Sequence, residues 1–174
     1  MNASLEVTDD PAAALLEIYD EAVPEVHRYL QRRCGGRLLA EELTAEAFMA
    51  AVSSIKSGTV STVTVAWLIG IARHKLVDHW RKAEREQRRL HAVAGELTEP
   101  ADGWDVVLDR QLANDVLAGL GPHHRAVLTL RYLDGLPVRE VAEQLDRTPG
   151  AVEALLTRAK AAFRARYEAL EARQ

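Results

Sequence analysis

Seven basic side chains fall within residues 73–89: Arg73, Lys75, Arg81, Lys82, Arg85, Arg88 and Arg89. Only Asp78, Glu84 and Glu86 oppose them there. Cations at this density suit the phosphates of a nucleic acid, whose binding is driven by release of condensed counterions. Trp67 and Trp80 lie along the same stretch. Their indoles can stack on bases or serve as core, and core is the commoner use.

A second concentration lies at 138–160, "VREVAEQLDRTPGAVEALLTRAK". It reads as two short helices with a tight break, the pattern of a helix-turn-helix. Such a unit needs a small residue where its helices cross, and Ala142 stands there. Val141, Leu145, Val152 and Leu155 supply the inner face. Asp146 occupies the turn, where positive φ is needed and Asp tolerates it better than most residues. Thr148 can cap the second helix and Pro149 can open it. A docked unit would turn Thr148, Pro149, Gly150, Glu153, Ala154 and Thr157 toward a groove. Arg147, Arg158, Lys160 and Arg164 would flank it, near phosphates. Arg158 is also placed to shield the Glu153 carboxylate.

Other reactive residue types do not assemble into a catalytic or metal-binding pattern. "GLGPHH" at 119–124 has His124 where a phosphate-cradling turn would want a third glycine, and no strand precedes it. His123 and His124 fit the exposed first turn of a helix instead. His74 and His79 are five apart, which splits them across a helix. Cys34 is the single cysteine, so no internal disulfide can form. Adjacent Glu41 and Glu42 diverge on a helix and make a poor acid–base pair. No catalytic residue, cofactor or metal is expected.

Helices must position these groups. Asp10 and Pro11 start the first, whose apolar residues Leu15, Tyr19, Ala22, Val23, Val26 and Leu30 repeat at helical steps. Pro24 should bend or split it. "CGG" at 34–36 ends it. A second helix spans about 39–55, with Leu39, Leu43, Phe48, Val52 and Ile55 inward and Glu41, Glu42 and Glu46 on its other face. "KSGTVSTVTV" (56–65) reads as a loop, with a short strand as the competing reading. The basic tryptophan helix follows over 66–90. Residues 91–103 lose periodicity and gain Gly, Pro and acidic residues, marking a flexible linker. Trp104, Val107, Leu108, Leu112, Val116 and Leu120 then line one face of a helix broken by Gly121-Pro122, and the next helix closes at Gly135. The expectation is an all-α chain of two small helical domains, 1–90 and 104–174, joined by 91–103.

Bulk composition agrees. Of 174 residues, 48% are hydrophobic and only 5% aromatic, with Ala, Leu, Glu and Arg abundant. That favours packed helices over disorder. The net charge of −4 argues against a general nucleic-acid coat, so local clusters must do any DNA binding. No apolar run approaches membrane length and "MNASLEVTDD" lacks a basic leader region. A cytoplasmic protein without membrane insertion is expected.

Three segments in order, "AEELTAEAFMAA", "AWLIGIARHKLVDHWRK" and "LGPHHRAVLTLRYLDGLPVREVAEQLDRTPGAVEALLTRAKAAFR", resemble the extracytoplasmic-function (ECF) sigma factors of bacteria. The resemblance covers roughly residues 11–172. Trp67, Leu68, Ile71, Ala72, Arg73, Asp78, Arg81 and Lys82 match the family's second-region helix. Arg125, Leu130, Arg131, Tyr132, Gly135, Ala142, Leu145, Gly150 and Arg158 are among the matches to its fourth region. The chain departs from the pattern at Ala45, where the family often has Gln, and at Glu153 and Leu155, where Lys or Arg is common. Its 57–65 loop also lacks aromatic and charged residues.

The resemblance implies a subunit that binds core RNA polymerase and directs promoter-specific initiation, with an anti-sigma factor as a further partner. It implies that Glu41, Glu42 and Glu46 face the polymerase. Arg73, Lys75, Arg81, Lys82, Arg85 and Trp67 would serve the melting −10 element. Arg147, Thr148, Pro149, Gly150, Glu153, Ala154, Thr157, Arg158 and Lys160 would serve the −35 element. The different-class alternative is a stand-alone helix-turn-helix regulator, which would leave the 41–46 acids and the basic helix without a shared purpose.

Overall fold

The computed structural model describes residues 10–90 and 110–172, and those residues form helices and short connections with no strand. Contacts group the chain into two compact units, residues 1–76 and 77–174. The 91–103 linker and the apolar positions Trp104, Val107 and Leu108 lie outside the described residues.

The first unit begins with α1, Pro11–Cys34, capped by the Asp10 carboxylate on the Ala12 amide at 2.9 Å. Pro24 does not split α1. One proline removes a single N–H, and the turns either side stay anchored by buried Ala22 and Val26. Gly35 at φ 70 stops the helix in the left-handed conformation that glycine adopts cheaply. After Gly36 comes α2, Arg37–Lys56, packed on α1.

The inward face of α2 differs from expectation. It consists of Ala40, Leu43, Thr44, Ala47 and Ala51, while Leu39, Phe48 and Ile55 are half-buried and Val52 is exposed. Small side chains let two helices approach closely, so alanines rather than the larger aliphatics fill the seam. The Thr44 hydroxyl is satisfied within the helix, donating to the Ala40 carbonyl at 2.6 Å. On α1, Tyr19 is likewise exposed, its ring edge-on to Phe48 with centroids 5.4 Å apart.

Residues 57–64 form a loop, not a strand. Thr59 ties it back by donating to the Ser54 carbonyl, and Val63 is buried. Thr64 caps the next helix, its hydroxyl accepting from the Trp67 amide at 3.1 Å. That helix, α3, runs Val65–Leu90 and buries Leu68, Ala72, Leu76, Val77 and Trp80. Its residues from 77 onward belong to the second unit.

The second unit is organised around a long final helix. Four α-helices, α4 (Arg110–Ala118), α5 (Pro122–Leu128), α6 (Val138–Leu145) and α7 (Pro149–Glu171), make it up, and α4, α5 and α6 each pack on α7. Buried Val152, Leu155, Leu156, Ala159, Phe163 and Tyr167 form the face of α7 they share. Each such burial is worth about 1.5–3 kcal/mol. After α5 the chain makes a π-helical turn, Thr129–Leu133, in which the Asp134 amide donates to the Thr129 carbonyl at 3.0 Å. Gly135 at φ 69 then releases the chain toward α6.

Candidate DNA and polymerase interfaces

The helix-turn-helix forms over 138–171 as its local chemistry requires. Ala142 is buried at the crossing with Val141, Leu145, Val152 and Leu155 around it. Asp146 takes φ 54 and ψ 51, the one positive-φ non-glycine among the described residues. That turn lets the Arg147 amide reach the Ala142 carbonyl at 2.9 Å. Thr148 caps α7, its hydroxyl accepting from the Ala151 amide at 3.2 Å, with Pro149 at the first helical position.

The predicted reading residues Thr148, Pro149, Gly150, Glu153 and Ala154 are all exposed at the start of α7. Thr157 is half-buried one turn further on. Arg158 is exposed, but it does not pair with Glu153: its Nε donates to the Ala154 carbonyl at 3.3 Å. Lys160 reaches over the exposed Tyr132 ring, Nζ 5.6 Å from the centroid, a cation–π contact. Arg147 is drawn inward instead, its Nη2 2.8 Å from Glu84 Oε1.

The predicted −10 residues divide three ways. Lys82 and Arg85 are exposed and make no ion pair among the described residues. Arg73 and Trp67 are half-buried, and Trp80 is core. Lys75 lies 4.0 Å from Glu46, while Arg81 lies 3.2 Å from Asp146 and 3.9 Å from Asp78.

On α2, Glu41, Glu42 and Glu46 all face solvent. Glu41 accepts from Arg37 Nε at 2.7 Å, and that hydrogen bond holds its carboxyl below the usual range. Glu42 carries no ion pair among the described residues. Beside it runs an apolar stripe that the acids had hidden from the sequence reading. Leu38 is 83% exposed and Met49 72%, with Val52 also open. Leu38, Glu42, Ala45, Met49 and Val52 follow steps of four, three, four and three, so they share one face. The missed signal was that spacing.

His123 and His124 correct another expectation. They stand in the first turn of α5 but are half-buried, their ring centroids 4.2 Å apart. Burial lowers both imidazoles, with His124 drawn down to about 4. Among the described residues no three His, Cys, Asp or Glu side chains gather as a metal site, and no helix is long and apolar enough to cross a membrane.

Residues 18–98 match the family model of sigma-70 region 2, and residues 110–163 that of sigma-70 region 4. The ECF RNA polymerase sigma factor SigL of Mycobacterium tuberculosis is 30% identical over 161 residues, 88% of this chain and 88% of that protein. This chain belongs to the ECF sigma factors. BldN of Streptomyces coelicolor, another ECF RNA polymerase sigma factor, is 33% identical over 156 residues. The match takes in 85% of this chain and 58% of BldN, so the chain spans little more than half of that relative. In fold, this ECF sigma factor is similar to RpoE of Bartonella quintana, solved in complex with the anti-sigma factor NepR. The TM-score is 0.54 at 20% identity, covering 92% of this chain and 98% of that one. A region 2 match across the first 98 residues sets the stand-alone regulator aside, because such a regulator has no use for it.

Proposed function

We propose that this ECF sigma factor joins core RNA polymerase in the cytoplasm and directs it to promoters, using α2 to grip the enzyme, α3 to engage the −10 element and α7 to read the −35 element. The observation that carries the reading is that one chain holds both an unpartnered mixed face on α2 and a capped, exposed reading helix. Leu38, Met49 and Val52 offer apolar contact, and Glu42 offers charge to a basic rim. That mixture fits a helical partner, where an apolar seam gives affinity and flanking charges set orientation.

The free protein carries four excess negative charges, so it needs the polymerase to hold DNA with useful affinity. Phosphate contact by Lys82, Arg85, Arg158 and Lys160 supports orientation on the duplex, and Thr148 to Thr157 support base reading. An anti-sigma partner is part of the proposal, in keeping with the complex in which Bartonella quintana RpoE was solved.

Transcription in vitro from a genomic promoter library tests it. Core polymerase with this protein should initiate at a defined promoter subset, and the protein alone should not select sites on duplex DNA. Site-specific binding by the isolated protein, with no transcripts when core is added, would refute the proposal.

A further inference from the structure

The second unit contains a clasp that neither DNA surface accounts for. Arg81 Nη2 on α3 lies 3.2 Å from Asp146 Oδ2, and Glu84 Oε1, three residues on, lies 2.8 Å from Arg147 Nη2. The pairs run crosswise, with basic and acidic positions on α3 facing acidic and basic positions in the turn of the helix-turn-helix. Glu84 also takes Arg88 at 2.5 Å. Its side chain is only 15% exposed and that of Arg147 25%, unlike ordinary surface pairs. Beneath them, Trp80 shares a small cavity with Ala126, Leu145 and Leu155.

Two features of the clasp matter for DNA. Arg147 directly precedes the cap of the reading helix, where a phosphate would be held. The Glu84 carboxylate offers it an oxyanion, as a phosphate would, and guanidinium binds both alike. Secondly, on the reading proposed above, Arg81 serves the −10 element and Arg147 the −35 element. Those elements stand about 25 base pairs apart, on the order of 80 Å of duplex at about 3.4 Å per step. Arg81 is paired with residue 146 and Glu84 with residue 147, so the two arginines cannot reach both elements while the clasp is closed.

We infer that residues 77–90 of α3 act as an internal substitute for promoter DNA, holding the helix-turn-helix self-masked until the clasp opens. The inference rests on the proposed function. Opening exchanges two intramolecular ion pairs for phosphate contacts. Each pair is weak enough for DNA on the polymerase to displace, so closure is a population that binding shifts rather than a block.

A reversible cross-link tests it. Arg81→Cys and Asp146→Cys are combined in the full chain, with the buried Cys34→Ala to prevent side reactions. Oxidation of the free protein should give an intramolecular disulfide, seen as a mobility shift on a non-reducing gel. The locked protein should yield less than about a tenth of the transcripts of its own reduced form, and reductant should restore them. Failure to cross-link, or full transcription while locked, overturns the inference. A second arm needs no polymerase. Glu84→Gln and Glu86→Gln remove one charge each from the same helix, but Glu86 is exposed and makes no ion pair among the described residues. Glu84→Gln should bind a fluorescein-labelled 30-base-pair duplex about threefold more tightly than Glu86→Gln. Equal affinities overturn the masking. A wild-type protein inactive with core polymerase would instead defeat the function reading and leave both structural readouts standing.

Discussion

The Thr157 hydroxyl donates to the Glu153 carbonyl, 3.1 Å away and one turn back along the reading helix. This spends the Thr157 proton inside the helix and leaves the Glu153 side chain alone at the surface, since Arg158 is turned to Ala154. A bare carboxylate in a major groove has one suitable partner, the N4 donor of cytosine. Glu153→Gln should therefore relax preference at one −35 position, at a cost of about 1–3 kcal/mol for the matched base. Transcription from a randomised −35 library with each variant checks it. An unchanged sequence logo with uniformly higher output would show that Glu153 only repels phosphate.

Assembly with the polymerase should depend on the exposed stripe of α2. Glu42→Lys should weaken binding to core, and Met49→Ala should add to the loss, while circular dichroism and melting stay within the scatter expected of surface changes, about 0.5 kcal/mol. Affinity measured by labelled core titration decides. Wild-type affinity for both variants would place the grip elsewhere.

The crossing of α6 and α7 should be intolerant of volume. Ala142 is buried between them, so Ala142→Leu should cost roughly 1–3 kcal/mol by overpacking and abolish promoter reading. Urea unfolding of the variant against Ala142→Gly separates steric from helix-propensity loss. Equal destabilisation by the two would contradict a tight crossing.

Acid should loosen the second unit through its paired histidines. Burial lowers His124 to about 4 and lowers His123 as well, with Glu84 opposing the shift and Arg158 aiding it in both. The unfolded chain takes up these protons near pH 6.5, whereas the folded one resists. Stability is thus full above about pH 6.5 and falls as pH drops toward about 4. Both rings are half-exposed, so screening should limit the loss to roughly 1 kcal/mol. Urea midpoints at pH 7.5 and 5 measure it, and His124→Gln should flatten the dependence.

Much of this architecture was legible because single residues carried local requirements. Ala142 at a crossing, Asp146 in a left-handed turn and Thr148 before a proline each have few other uses, and each is found where its chemistry points. The inward face of α2 was not legible. Periodicity favours large aliphatics, yet Ala40, Ala47 and Ala51 form the seam and Val52 is exposed. Nor could spacing reveal that Glu84 meets Arg147, because no local rule links residues 63 apart. The half-burial of His123 escaped for the same reason. It lines a cavity with Trp80 and Leu155, far away in sequence.

The π-helical turn at Thr129–Leu133 fixes a phase. An α-helix advances about 100° per residue, and a bond that spans five residues instead of four accommodates one extra position. Everything after Leu133 is therefore rotated by about that angle from where a regular α5 would have carried it. The aim of the reading helix is in this sense set upstream, by a count of residues rather than by any contact. Removing one residue from 129–133 would leave every core side chain of α6 and α7 in place in the sequence and point them at the wrong neighbours. A single-residue gap in an alignment here is thus a change of direction, not of length.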